Sequence, residues 1–289
     1  MQKNMLFFSF YRVFEKNILS LQRYNYFYQY MLALVTGASS GIGLQYATVL
    51  ARDYHTDLLL VSNQEQEQIA VAQQLAAEYN VKTIPLYQDL SKADAAEQLY
   101  QYCIDNNLQV DILINNAGIF FFNTYTETSM KRIELMLMLH VVTVAKLCRL
   151  FGEDMCKRGN GYILNMSSMS AWMAYPGIQT YNATKAFIYN LSKSLWYEFK
   201  PHGVGITVMT PGAVDTALFG LSPKYRKLAV NLTVSIPPEK LVKKALKRMF
   251  KKKKQGMPGV LNHLATPILK HTPDWLVFAT YKWVRQFQK

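Results

Sequence analysis

Apolar and polar positions come in blocks along this chain of 289 residues. From Leu32 onward, short apolar runs recur at Leu32–Val35, Leu58–Val61, Thr83–Leu86, Ile112–Ile114, Tyr162–Asn165 and Gly205–Met209. Runs that are apolar on consecutive positions suit strands covered on both faces. Between them, apolar residues return at helical spacing over Gly41–Tyr54, Gln64–Tyr79, Lys92–Asn106, Ser129–Lys157 and Tyr175–Lys200. Strands alternating with helices predict right-handed βαβ crossovers and a doubly wound parallel sheet, a three-layer α/β arrangement. Loops are short and no Pro/Gly/Ser linker interrupts the rhythm, so residues 31–260 read as a single domain. Farther on, Pro238–Lys254 carries Leu241, Val242, Ala245, Leu246, Met249 and Phe250 on one helical stripe. Gly256–Val260 reads as a last edge strand. Pro273–Lys289 reads as an amphipathic helix with Trp275, Leu276, Phe278, Ala279, Trp283 and Phe287 on its apolar side.

Composition narrows the picture. Half of the residues are hydrophobic, enough for a sizeable core without disulfides or metals. Cys103, Cys148 and Cys156 are odd in number and lack metal-ligand spacing, which points to a reducing, cytoplasmic setting and no metal site. No apolar run is read as approaching a membrane span. Residues 1–30 differ from the rest: they are rich in Phe and Tyr, and Arg12, Glu15, Lys16 and Arg23 break up any signal-peptide core. The favoured reading is an extension upstream of a start at Met31; a short membrane-surface helix is the other.

The net charge of +13 is uneven. Lys240–Lys289 holds thirteen basic residues and one acid, Asp274, so the body before it is close to neutral. A solvated helix face with a basic end accounts for this run. Residues 261–289 then form a basic, aromatic tail packed on or near the domain, with weak attraction to anionic membranes as the alternative. No nucleic-acid motif accompanies the charge, and nucleic acid is excluded as a partner.

Candidate chemistry begins at Met31–Gly43, MLALVTGASSGIG. Strand, glycine-rich turn and helix present backbone N–H groups and a helix N-terminus to a phosphate. Gly37, Gly41 and Gly43 are spaced G-x-x-x-G-x-G. Four more segments fall at the C-terminal ends of predicted strands, where open α/β sheets bind ligands. They are Asp89-Leu90, Asn115–Gly118 (NNAG), Asn165–Ser168 (NMSS) running on to Tyr181–Lys185 (YNATK), and Pro211–Thr216 (PGAVDT). In this order and spacing, over about Leu32 to Gly259, the chain resembles the short-chain dehydrogenase/reductase family. The resemblance implies a Rossmann-type fold, a nicotinamide cofactor, and interconversion of a carbonyl and an alcohol by hydride transfer. It also implies a homodimer or homotetramer. A catalytically silent nucleotide-binding or membrane-surface scaffold of the same fold is the alternative, and intact Ser168, Tyr181 and Lys185 argue against it.

Residue types supply a chemical account. A carbonyl becoming an alcohol takes a hydride at carbon and a proton at oxygen, and Tyr181 is the acid that can give the proton. A free phenol has a pKa near ~10. Lys185 lies one helical turn on, and its ammonium, together with the positive oxidised nicotinamide, is expected to lower that value. Ser168 can hydrogen-bond the substrate oxygen. The resemblance further implies that Lys185 holds the nicotinamide ribose and that Asp89, beside Leu90, accepts from the adenine amino group. Asn116, Ala117 and Gly118 would line the adenosine side. Pro211, Gly212, Val214 and Thr216 would face the nicotinamide. Ser39, Ser40, Ile42 and the three glycines of the turn would cradle the pyrophosphate.

Two departures from the family pattern carry information. His140, in MLMLHVVT, stands where the family usually has an asparagine that helps hold a relay water. Two readings stand: a histidine that shuttles protons, or a buried, hydrogen-bonded histidine without a catalytic part. At the end of the second strand, Ser62-Asn63 replaces the acid that usually binds the ribose 2′-OH of NAD. Its absence favours NADP(H) over NAD(H). Ile119–Phe122, Met169–Ile178 and Val214–Ile236 should surround the reacting carbon. Phe120, Met169, Trp172, Tyr175, Leu218 and Phe219 are the pocket candidates. These are apolar and carry no fixed cation, so a lipophilic ketone, aldehyde or alcohol is the expected substrate.

Overall fold

The structure is a computed structural model, and it describes residues 31–215, 235–259 and 271–285. Residues 1–30, Thr216, Leu218, Phe219 and Phe287 lie outside the described residues. Six strands follow the predicted runs: β1 (Leu32–Thr36), β2 (Asp57–Ser62), β3 (Thr83–Tyr87), β4 (Val110–Asn115), β5 (Gly161–Met166) and β6 (Val204–Met209). Two short strands, β7 (Ala213–Val214) and β8 (Ser235–Ile236), pair with each other in a separate small ladder that the pattern does not predict. The last strand, β9 (Gln255–Gly256), is shorter than the expected Gly256–Val260 and starts one residue earlier. It pairs only with Val208 and Met209 of β6.

The main sheet runs β3-β2-β1-β4-β5-β6-β9 and every pair is parallel. The order reverses direction between β1 and β4, which opens a crevice at their C-terminal ends. Helices α1 (Gly41–Tyr54), α2 (Glu65–Tyr79) and α7 (Pro238–Phe250) cover one face. Helices α3 (Ala95–Asp105), α5 (Thr143–Arg158) and α6 (Gln179–Phe199) cover the other. Strand alternation divides the core: Ala33 and Val35 of β1 join Tyr46, Leu50 and Leu246, while Leu34 joins Leu99, Leu147 and Ile188.

Four predicted helices depart from the periodic pattern; one is α7, which ends at Phe250 rather than Lys254 because the chain turns at Lys251 and Lys252, the latter with a φ of 50°. α3 begins at Ala95 rather than Lys92, because residues 89–94 form turns. α6 begins at Gln179 rather than Tyr175; the preceding Gly177 has a φ of 90° and lets the chain turn into the helix. The predicted Ser129–Lys157 helix is α4 (Met130–Leu137) and α5 joined by a π-helical turn, Met138–Val142. Ser129 caps α4 by accepting from the Arg132 N–H. Contrary to the sequence expectation, the continuous stretch Met130–Arg158 is long and apolar enough to span a membrane. Its apolar residues have another use: Ile133, Met136, Val144, Leu147, Phe151 and Met155 are buried within the fold. A final helix, α8 (Asp274–Arg285), carries exposed Trp275 and Phe278.

Candidate active site

The C-terminal ends of β1, β2, β4, β5 and β6 surround a cavity of about 480 Å³. The strands feeding it are buried on both faces, so their ends are fixed by the core. At one end lies the glycine turn. Gly37, Ser39, Ser40, Gly41 and Ile42 line the cavity. Ser40 stands at the N-cap of α1 in extended conformation and makes no side-chain cap, and no acid occupies the first turn. The helix N-terminus is therefore left to a ligand, and its dipole favours an anion. Gly43 does not line the cavity. It serves the close approach of α1 to the turn, since a Cβ there would collide with the Gly37 carbonyl oxygen and Asn116 Nδ2.

Thr36, at the end of β1, locks this turn to the neighbouring loop. Its hydroxyl donates to the Ile114 carbonyl and accepts from the N–H groups of Asn116 and Ala117. Asn116 Nδ2 returns a bond to the Thr36 carbonyl at 3.0 Å. Asn116, Ala117 and Gly118 line the cavity, whereas Asn115 is buried behind it, bonded to Asn165 at 2.8 Å. Asp89 and Leu90 also line it. Asp89 Oδ1 holds its own turn by accepting from the Ser91 N–H and hydroxyl, which keeps the carboxyl below its usual range and ionised.

At the end of β2 the polar groups satisfy one another in a closed ring. Gln64 N–H donates to Ser62 Oγ (3.1 Å), the Ser62 hydroxyl to Ser39 Oγ (2.9 Å), and the Ser39 hydroxyl to Gln64 Oε1 (2.7 Å). The ring is neutral. The Ser62 hydrogen is thus spent on Ser39 and the Ser39 hydrogen on Gln64, and Ser40, Asn63 and the side-chain Nε2 of Gln64 are the donors left at the cavity.

At the other end, β5 and α6 bring together Ser168, Tyr181 and Lys185, all lining the cavity. Lys185 and Tyr181 are only 5 % and 8 % exposed. Lys185 Nζ donates to the Met166 carbonyl at 2.9 Å and lies 5.4 Å from the centre of the Tyr181 ring. Burial pushes the lysine down to about 8. In the protein alone, burial governs the Tyr181 phenol. Burial pushes it up to about 12, opposed only by a hydrogen bond from Ser168. The cause is plain: the lysine lies over the ring and bonds a backbone carbonyl, while burial desolvates the hydroxyl. The phenol is therefore held protonated.

His140 also lines the cavity, but both of its ring nitrogens are engaged. Pro211, Gly212 and Val214 close the third side, and the Met169 N–H ties to the Pro211 carbonyl at 2.9 Å. The three consecutive phenylalanines diverge. Phe120 meets the Tyr181 ring edge-on at 5.1 Å, Phe121 lies beneath the Arg132 guanidinium, and Phe122 sits against Gly177. Phe120 thus packs on the Tyr181 ring but does not itself line the cavity formed by the described residues. Trp172 instead packs edge-on against Tyr189 of α6, and neither it, Met169 nor Tyr175 lines the cavity formed by the described residues. Ile119, Leu135 and Leu139 are among the apolar residues that do line it.

Sequence reasoning missed Gln64, Leu135 and Leu139. Gln64 directly follows the predicted strand end. Leu135 and Leu139 are spaced one turn apart with His140 beside them, a signal readable as a cavity-facing stripe. Among the described residues no group of three or more His, Cys, Asp or Glu is gathered as a metal site.

Comparison with known proteins agrees with this geometry. A family model described as short chain dehydrogenase matches residues 31–226. The probable oxidoreductase EphD of Mycobacterium bovis is 32% identical over 186 residues, covering 64% of this chain and 31% of that protein. The chain thus spans about a third of that relative's length. The very-long-chain 3-oxoacyl-CoA reductase of Bos taurus is 28% identical over 254 residues, covering 85% of this chain and 77% of that protein. A short-chain dehydrogenase from Sphingobium yanoikuyae, solved in complex with NADPH, superposes with a TM-score of 0.73 at 27% identity, covering 90% of this chain and 97% of the other.

Proposed function

From the premise that this chain belongs to the short-chain dehydrogenase/reductase family, an oxidoreductase family, we propose that it reduces a lipophilic ketone or aldehyde with NADPH, or oxidises the matching alcohol. Tyr181 is the proton donor in that reading. The observation that carries it is a protonated, buried phenol with a hydroxyl and an ammonium beside it, Ser168 and Lys185, facing a cavity whose far end is an uncapped helix N-terminus. The residues fit a dinucleotide: a neutral 2′ region, a helix dipole for the pyrophosphate, and a lysine ammonium for a ribose.

A bound reduced nicotinamide would supply the hydride, and its oxidised form a positive charge beside the phenol. The chain does the rest. The Ser168 hydroxyl orients the carbonyl oxygen, and Tyr181 Oη gives it a proton as the carbon takes the hydride. The phenolate left behind is stabilised by the Lys185 ammonium, which is charged at neutral pH because its pKa is about 8. In the reverse direction the same phenolate takes the proton from the alcohol.

The NADP(H) preference rests on the neutral ring of Ser39, Ser62 and Gln64, which offers no carboxylate to repel a 2′-phosphate. A lipophilic substrate is supported by Ile119, Leu135 and Leu139 in the cavity lining and by the Phe120 ring packed against Tyr181. The long acyl substrate in the bovine relative's name points the same way. Exposed Trp275 and Phe278 on α8, in a basic tail, support contact with an anionic membrane surface, which salt-dependent vesicle binding tests.

A homologous series of neutral ketones, assayed with NADPH and NADH, tests the reading. Each added methylene is expected to raise kcat/KM by up to about fourfold, the equivalent of ~0.8 kcal/mol of burial, until the pocket fills. A flat series, faster turnover of small anionic keto acids, or a several-fold preference for NADH would overturn it.

A further inference from the structure

His140 takes part in no step above, yet it is 1 % exposed and sits in the π-helical turn between α4 and α5. The Ile119 N–H donates to its Nε2 at 2.9 Å. An amide nitrogen can only donate, so Nε2 must present a lone pair. The neutral ring then carries its hydrogen on Nδ1, which lies 3.0 Å from Thr184 Oγ1. The Thr184 hydroxyl hydrogen is already given to the Tyr181 carbonyl at 2.8 Å, so Oγ1 accepts from the histidine. All three hydrogen bonds run in one direction, from the Ile119 amide through His140 and Thr184 to the Tyr181 backbone.

We infer that His140 and Thr184 are positioning residues, a neutral hydrogen-bonded bridge that fixes the helical turn carrying Tyr181 against the loop after β4. That loop bears Ile119 and Phe120, and Phe120 touches the Tyr181 ring. The bridge therefore sets where the phenol stands relative to the wall that places the substrate. A displacement of about 1 Å at this point is enough to cost a large factor in rate. The seat has no slack: a Cβ on Gly118 would stand 2.8 Å from His140 Nε2. A second charge is also resisted. Burial and the nearby Lys185 ammonium hold His140 well below its usual pKa, and a protonated ring would turn a donor toward the Ile119 N–H. Lys185 is the charged group acting on it, and Tyr181 is the titratable ring beside it, 5.9 Å between centroids. With both nitrogens committed, His140 holds geometry and does not shuttle protons at neutral pH.

The inference rests on Tyr181 as the proton donor, and the test separates the two. The probe is NADPH-dependent reduction of phenanthrenequinone, followed by loss of reduced-nicotinamide absorbance, with cofactor affinity measured by fluorescence. Thr184→Val, which keeps shape and removes the hydroxyl, is expected to lower kcat about tenfold while cofactor affinity stays within about twofold. Thr184→Ser is expected to regain most of that loss. A merely structural role would lower the melting temperature without this split or rescue. A folded Thr184→Val variant with wild-type kcat, or a Thr184→Ser variant as slow as it, would overturn the bridge. Tyr181→Phe run alongside distinguishes the cases: if it also turns over normally, the proton-donor reading fails instead. A second readout needs no turnover. Nitrogen NMR of the His140 ring should show hydrogen on Nδ1 and none on Nε2 at neutral pH; the opposite tautomer or a cationic ring would refute the inference.

Discussion

The two ends of the cavity are built by different means. At the glycine turn, recognition falls to backbone N–H groups, a helix dipole and a ring of neutral polar groups around Ser39, Ser62 and Gln64. At the β5–α6 end, it falls to two ionisable side chains withdrawn from water, Tyr181 and Lys185. Backbone cradles depend on the space between elements and carry little charge of their own. Buried titratable groups depend on desolvation, and here it moves the phenol and the amine in opposite directions, toward about 12 and about 8. Substitutions at the first end should therefore act on affinity and cofactor choice, and at the second on protonation, rate and stability.

Gly43→Ala should give the largest effect at the first end. The added Cβ meets the Gly37 carbonyl oxygen, which is backbone and cannot turn aside. Cofactor affinity is expected to fall by about 100-fold, measured by fluorescence titration, with some loss of thermal stability. An unchanged affinity would mean that the turn does not bind the pyrophosphate.

Ser62→Asp should follow, sharpening the contrast by placing a carboxylate in the neutral ring. The ratio of NADPH to NADH efficiency is expected to fall about tenfold, because like charges repel at the 2′ position.

Lys185→Met should lower turnover and cofactor affinity, and it also acts on stability. Folding lowers this amine from 10.5 to about 8, so the unfolded chain holds the proton more tightly. The penalty is fully present below the folded pKa and fades as pH rises toward the unfolded one. At roughly 1.4 kcal/mol per pH unit, it amounts to at most about 3.5 kcal/mol. The variant is therefore expected to melt a few degrees above the wild type at neutral pH, with the gap closing as pH rises from about 8 to 10.5. A variant that melts lower at all pH values would show that the bond to the Met166 carbonyl outweighs desolvation.

The sheet was legible in the sequence because parallel strands covered on both faces are apolar at consecutive positions, as at Leu58–Val61 and Tyr162–Asn165. The grouping of Ser168, Tyr181 and Lys185 was legible because one helical turn separates the last two and strand ends converge. Other features depend on contacts between distant segments and leave no local mark. The π-helical turn at Met138–Val142 interrupts a stretch whose apolar spacing looks like unbroken helix. The Ser39–Ser62–Gln64 ring forms only when β1 and β2 lie side by side. The direction of the Tyr181 shift is set by what desolvates the phenol, with the Phe120 ring of another loop packed against it, and not by the lysine four residues on.

The most direct test of the account is Tyr181→Phe, which removes one hydroxyl and leaves the ring against Phe120. NADPH binding should stay within about twofold of the wild type, while reduction of a neutral ketone found active in the series above falls by about 1,000-fold. A folded variant that binds NADPH and still reduces that ketone at the wild-type rate would contradict the assignment of Tyr181 as the proton donor.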